Sequence, residues 1–339
     1  MLGRTRGGEV DRGGHIWPKD RETTSADGTV IRYTVLGEEH DTLPVALCAG
    51  YVCDDTYWAS VGAALAERHR VVVVNYRGMG ASGWPHEPGF RGRNVHADDY
   101  TIDRLAEDVA AALDAEGLTE AITVGHSMGC QVALQLWRAR SDLVAALVLV
   151  TGPFASPMRT FYGRELGAAV FPVVAAAMPL VPMSLRRAVM KAPRLPLAMP
   201  VARAMRALGP YTPDEQMASY FRHLGELDPA VVMAMARGMH EFDAGPWLAQ
   251  IDVPTLVLVG SADPWSPPAV GEQLLAEVPG AELCVIEDGT HGALIEFPDE
   301  IHDAVADFLH RRLGTTPVER RGAPGRVSPP RRADDDLVG

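Results

Sequence analysis

Short, uninterrupted runs of apolar residues alternate with stretches of helical periodicity along most of the chain. Val30 to Val35, Val45 to Cys48, Val71 to Val74, Ile122 to Val124, Ala146 to Val150, Thr255 to Val259 and Leu283 to Ile286 read as strands. Ile102 to Ala115, Met128 to Arg138, Ala269 to Val278 and Glu300 to Arg311 read as helices. A strand that is apolar at every position, rather than every second one, is buried on both faces. The pattern therefore predicts an α/β fold, a mostly parallel central sheet flanked by helices.

The alternation fails between Val150 and Thr255, where prolines and helical spacing replace any convincing strand. An insertion is predicted there, over 153–245, dividing a core of 23–152 and 246–313. Residues 1–22 and 314–339 are rich in Gly, Pro and Arg and poor in apolar side chains, so both are expected to be disordered tails. Ten of the 13 methionines fall in the insertion, a concentration that fits an adaptable apolar pocket or an ordinary small helical core.

Composition narrows the partners. The 339 residues carry 31 Lys and Arg against 44 Asp and Glu, a net charge of −13 that argues against nucleic acid. Hydrophobic residues at 47% and charged residues at 22% fit a globular chain with a large core and exclude collagen-like or wholly disordered readings. Cys48, Cys53, Cys130 and Cys284 offer no zinc-type spacing, so no metal is implied. The first twenty residues lack the apolar stretch of a secretory signal, and a cytoplasmic enzyme with reduced thiols is expected. Leu166 to Met183 spans 18 uncharged residues, but it contains Gly167, Pro172, Pro179 and Pro182. Prolines free backbone groups that lipid cannot satisfy, so a broken apolar lid segment is the reading and membrane contact is not expected.

Chemistry enters at Gly125-His126-Ser127-Met128-Gly129, directly after an apolar strand and directly before a helix. A sharp strand-to-helix turn thrusts its central side chain outward, and glycines two positions either side relieve the crowding. Ser127 becomes an exposed nucleophile at a helix N-terminus, where the Met128 N–H can face a developing oxyanion. A serine hydroxyl needs a base, and the base needs an orienting carboxylate. Asp263 follows the strand Thr255 to Val259, and His291 follows Leu283 to Ile286. Neither Asp243 nor Asp252, both ahead of their strand, suits that position, and Asp288 reads as a turn former.

With the order Ser127, Asp263, His291, the chain resembles the α/β-hydrolase fold family in its serine-nucleophile branch. The likeness covers roughly residues 23–313 and includes Asn75 to Gly83, similar to the family's Asp-x-Arg-Gly-x-Gly-x-Ser turn with Asn75 in place of aspartate. It implies a helical cap inserted after the sixth strand, and a second oxyanion donor in the loop Ala49-Gly50-Tyr51, where the Tyr51 N–H is the candidate. Serine at the elbow separates the chain from the epoxide hydrolase and haloalkane dehalogenase branches, which use aspartate. Gly78-x-Gly80-x-x-Gly83 fits a dinucleotide fingerprint, but no helix is predicted to open there.

The function expected is cofactor-independent hydrolysis of carboxylic esters with a hydrophobic acyl or alcohol group, a small-molecule substrate handled by Ser127, His291 and Asp263. Thioester, lactone or carbon–carbon bond hydrolysis, acyl transfer and perhydrolysis can all run on the same three residues. A non-catalytic binding module and a membrane-attached lipase, the latter resting on Leu166 to Met183, are the readings of other classes.

Overall fold

The computed structural model describes residues 16–86, 95–159, 166–204 and 208–333. Strands β1 (Arg21–Thr24), β2 (Val30–Leu36), β3 (Val45–Cys48), β4 (Val71–Val74), β5 (Ala121–His126), β6 (Val144–Val150), β7 (Thr255–Gly260) and β8 (Glu282–Ile286) form one sheet. Its order is β1-β2-β4-β3-β5-β6-β7-β8. β1, β2 and β4 are joined antiparallel, and from β4 onward the pairs are parallel. Every residue of β3, β4, β5 and β7 is buried, as a sheet covered on both faces requires.

Helices α1 (Ala59–Ala66), α2 (Ile102–Ala115) and α3 (Met128–Ala139) alternate with the early strands. α2 shows why the sequence pattern was readable. Its Thr101 side chain accepts from the Arg104 N–H at the N-terminus, and Ile102, Leu105, Val109 and Leu113 line one buried stripe. Burying each such side chain contributes about 2 kcal/mol.

Between β6 and β7 the chain makes a helical excursion through α4 (Leu166–Ala177), α5 (Met183–Lys191), α6 (Ala198–Ala204), α7 (Asp214–Leu224) and α8 (Pro229–Glu241). The apolar run Leu166 to Met183 is broken as its prolines predict. Pro172 lies inside α4, a 3-10 turn spans Met178–Leu180, and Pro182 precedes α5. No helix among the described residues is long and apolar enough to cross a membrane. The core resumes with α9 (Pro268–Glu277), α10 (Ala293–Glu296) and α11 (Pro298–Leu313), and α11 packs on α1.

Of the stretches expected to be disordered tails, 1–22 and 314–339, the structure describes residues 16–22 and 314–333. Residues 1–15 lie outside the described residues. Trp17 packs on the core, and the Lys19 ammonium lies 3.0 Å from the Asp55 carboxylate, with both side chains almost wholly buried. The polar strand β1 then begins at Arg21. At the other end, Gly314 closes α11 in the left-handed region at φ 68°. The segment after it returns along β8, where Leu283 and Arg331 exchange two backbone hydrogen bonds of 2.9 Å. Arg311, Arg312 and Arg332 converge on the buried Glu282 carboxylate. Backbone pairing and ion pairs, rather than apolar packing, hold this segment.

Candidate active site

Ser127 stands between β5 and α3 with φ 54° and ψ −122°, the strained backbone that a sharp elbow forces on its central residue. Close approach explains the glycines on either side. A Cβ at Gly125 would lie 2.4 Å from the Gly129 carbonyl oxygen, and one at Gly129 would lie 1.9 Å from the Cys48 carbonyl oxygen. The chain can turn this tightly only with both side chains absent.

The parallel order of β5, β7 and β8 brings the loops after them to one end of the sheet. There the His291 Nε2 lies 2.8 Å from the Ser127 Oγ, and the His291 Nδ1 lies 2.9 Å from the Asp263 Oδ2. Asp263 is buried, and its other oxygen accepts from the Trp265 and Ser266 N–H groups at 2.8 and 3.1 Å. These bonds fix the carboxylate before it meets the imidazole.

Other residues hold the imidazole from behind. The His291 carbonyl oxygen accepts from the Thr151 hydroxyl at 3.2 Å and from the His126 Nε2–H at 3.1 Å. His126 stacks on Tyr57, and burial with His291 nearby pushes its pKa down to about 3, so its ring is neutral near neutral pH. Glu296 accepts from the Thr290 N–H at 2.8 Å and the Thr290 hydroxyl at 2.7 Å, bracing the residue before His291. The same carboxylate accepts from the Thr212 hydroxyl of the excursion at 2.5 Å. Sequence reading missed Thr151, Glu296 and Thr212.

The loop after β3 lies against the nucleophile. A Cβ at Gly50 would come within 3.2 Å of the Ser127 Cβ. The adjoining Tyr51 hydroxyl donates to the Val232 carbonyl of α8 at 2.7 Å, and the Cys53 N–H closes a turn onto the Gly50 carbonyl at 3.2 Å. Met128 occupies the first position of α3, where the N–H has no partner within the helix. Asp54 caps the 3-10 turn Asp55–Trp58 by accepting from the Thr56 N–H at 3.1 Å, and it also accepts from Ser219 of α7. Burial raises its pKa to about 6.

Above Ser127 lies a cavity of about 300 Å³ roofed by the excursion and lined by Tyr57, Leu208, Met217, Phe221, Met239 and Trp265 among others. Among the described residues, no Asp, Glu, Lys or Arg lines it. Met158, Met217 and Met239 of the methionine-rich stretch face this space, Met235 is buried in the core, and Met205 lies outside the described residues. Neither His223 nor His240 lines it. Among the described residues, no group of three or more His, Cys, Asp or Glu is placed to hold a metal ion. Gly78 and Gly83 close a turn that pairs with Val30 of β2, and no helix opens at Gly83 to receive a pyrophosphate. Asn75 serves that turn by accepting from the Ala81 N–H at 3.2 Å. Asp288, at φ 59°, is a turn residue paired with Arg326.

Comparison with known proteins agrees with this architecture. Over 277 residues the chain is 27% identical to "Putative carbamate hydrolase RutD" of Caulobacter sp. (strain K31), covering 80% of this chain and 92% of that one. A thermophilic esterase from Thermogutta terrifontis superposes with a TM-score of 0.64 at 25% identity, over 86% of this chain and 98% of its own. The enol-lactonase from Burkholderia xenovorans LB400 does so with a TM-score of 0.63 at 25% identity, over 85% and 99%. The family model for the alpha/beta hydrolase fold matches residues 44–298, and with the sheet order and the elbow already in place the chain belongs to that family of hydrolases.

Proposed function

We propose that the chain is a serine hydrolase that cleaves carboxylic esters bearing an apolar acyl or alcohol group, through an acyl-enzyme on Ser127. The observation that carries this reading is the unbroken hydrogen-bonded line from Ser127 through His291 to Asp263 at the floor of an apolar cavity. In the reaction, His291 takes the Ser127 proton as the oxygen attacks the ester carbonyl. Asp263 holds the Nδ1–H tautomer and stabilises the imidazolium that forms. The Tyr51 and Met128 N–H groups receive the oxyanion, each worth about 3 kcal/mol of barrier. The alcohol departs with the proton from His291, and water then releases the acid by the same steps. The helical excursion over 153–245 acts as a cap that supplies the apolar walls.

Hydrolysis of carbamate, the activity in the name of one relative, fits this cavity less well. Among the described residues, no cationic side chain lines its walls to receive a small anion. Lactones keep the ester bond and an apolar ring, so they fall within the same substrate class. A panel of p-nitrophenyl esters of rising acyl length, with lactones and carbamate alongside, tests the reading. Esters of medium-length acyl chains are expected to be favoured, and Ser127→Ala to lower kcat by at least about 10⁴-fold and abolish fluorophosphonate labelling. Labelling that persists in Ser127→Ala, or turnover of carbamate alone, would overturn it.

A further inference from the structure

Ten of the eleven large apolar side chains exposed among the described residues belong to 170–211 of the excursion. Val173, Leu180, Val189, Leu195 and Leu197 are between 61% and 86% exposed. α5 buries none of its residues. Exposed apolar side chains scattered singly over a surface need no explanation, but their concentration in α4, α5, α6 and the turns that join and follow them does.

Charge identifies the partner. The stretch 166–211 contains no Asp or Glu, although the chain as a whole carries −13. α5 bears Arg186, Arg187 and Lys191, and the last two are exposed. Arg194 and Arg203 are neutralised by Glu226 and Asp214 and add nothing. A second copy meeting this face about a two-fold axis would set its cations against the same cations. An anionic lipid surface offers what the face lacks, an apolar interior under a layer of negative headgroups.

We infer that the exposed residues between Val170 and Val201 form a peripheral docking surface for a bilayer containing anionic lipids. Lying on a bilayer does not require the unbroken span that the prolines of this stretch forbid. The surface adjoins the catalytic cavity, since Val201 of α6 is exposed while the next residue, Ala202, lines the cavity. Binding does not depend on the reaction proposed above, and a chain inert toward every ester would still be expected to bind.

Co-sedimentation of the full-length protein with vesicles tests the inference, using phosphatidylcholine alone and phosphatidylcholine mixed with phosphatidylglycerol. Binding is expected to the mixed vesicles and to weaken as salt rises. Arg187→Gln with Lys191→Gln is expected to weaken partitioning about thirtyfold. Val173→Ser with Leu180→Ser and Leu197→Ser is expected to abolish it while circular dichroism and turnover of a soluble ester stay unchanged. The inference falls if the wild-type chain binds neither vesicle at low salt, or if the apolar triple variant binds as well as wild type. It also falls if light scattering shows a wild-type dimer that the triple variant loses.

Discussion

The Thr212 hydroxyl donates to Glu296 at 2.5 Å, tying the helical excursion to the loop that presents the His291 imidazole. One carboxylate thereby serves both sides, since it also receives the N–H and hydroxyl of Thr290. Glu296→Ala should leave the buried Thr290 N–H without its acceptor and cost about 1–3 kcal/mol of stability. It should also lower kcat about tenfold through a less fixed His291. Thr212→Val, which removes the arm to the excursion together with the acceptor of the Gly209 N–H, should lower kcat less while lowering the melting temperature by a few degrees. Steady-state kinetics and thermal melts on both variants decide this, and equal loss of kcat in the two would locate the effect in the excursion instead.

Asp263→Asn keeps an acceptor for the Trp265 and Ser266 N–H groups, so the fold should survive. The amide, however, favours the wrong imidazole tautomer and cannot stabilise the imidazolium. A fall in kcat of about 10⁴-fold at neutral pH is expected. Kinetics with a p-nitrophenyl ester measure it, and a loss below tenfold would remove Asp263 from the catalytic trio.

Burial lifts the Asp54 carboxyl from its ordinary value near 3.8 to about 6. An acid whose folded pKa is raised contributes stability below the unfolded value and loses that contribution as pH rises through the folded one. At pH 8 the buried charge therefore costs up to about 3 kcal/mol, and Asp54→Asn should raise the melting temperature there. The gain should shrink below pH 6 and vanish near pH 4. Melts across that range test the sign, and a benefit that grows on acidification would contradict the desolvated carboxylate.

Ending the chain at Gly314 would uncover the outer edge of β8. Four backbone hydrogen bonds with residues 326–331 would be lost, together with the ion pair from Arg332 to Glu282. Their combined loss should lower stability by about 2–4 kcal/mol. An open strand edge also invites pairing with another chain. Thermal melts and light scattering against concentration should show both effects, and a shortened chain that stayed monomeric with an unchanged melting temperature would contradict them.

Which of these features a reader of the sequence could see depends on how each is encoded. The central strands were legible because burial on both faces demands unbroken apolar runs, as in Val71-Val72-Val73-Val74. Ser127, Asp263 and His291 were legible because each follows a strand end in a fixed order, and the hydrogen bonds now join them. β1 was not, since Arg21-Glu22-Thr23-Thr24 is an edge strand held by pairing with β2 rather than by burial. Glu296 and Thr212, 84 residues apart, meet through a single hydrogen bond that has no signature in spacing. The exposed apolar face of the excursion was hidden for the opposite reason. Its residues look like core positions, and only the fold shows that nothing among the described residues covers them.

Lys19 pairs with Asp55, two residues beyond Cys53 of the loop after β3, and also donates to the Val73 carbonyl of β4. Residues 17–19 thus pack against α1, β4 and the loop after β3. Trimming the N-terminus past this lysine would strand a carboxylate in a dry place, a loss of about 3–5 kcal/mol for a pair of this kind. The support of the candidate site therefore starts some thirty residues before Tyr51, the first residue proposed to act in it.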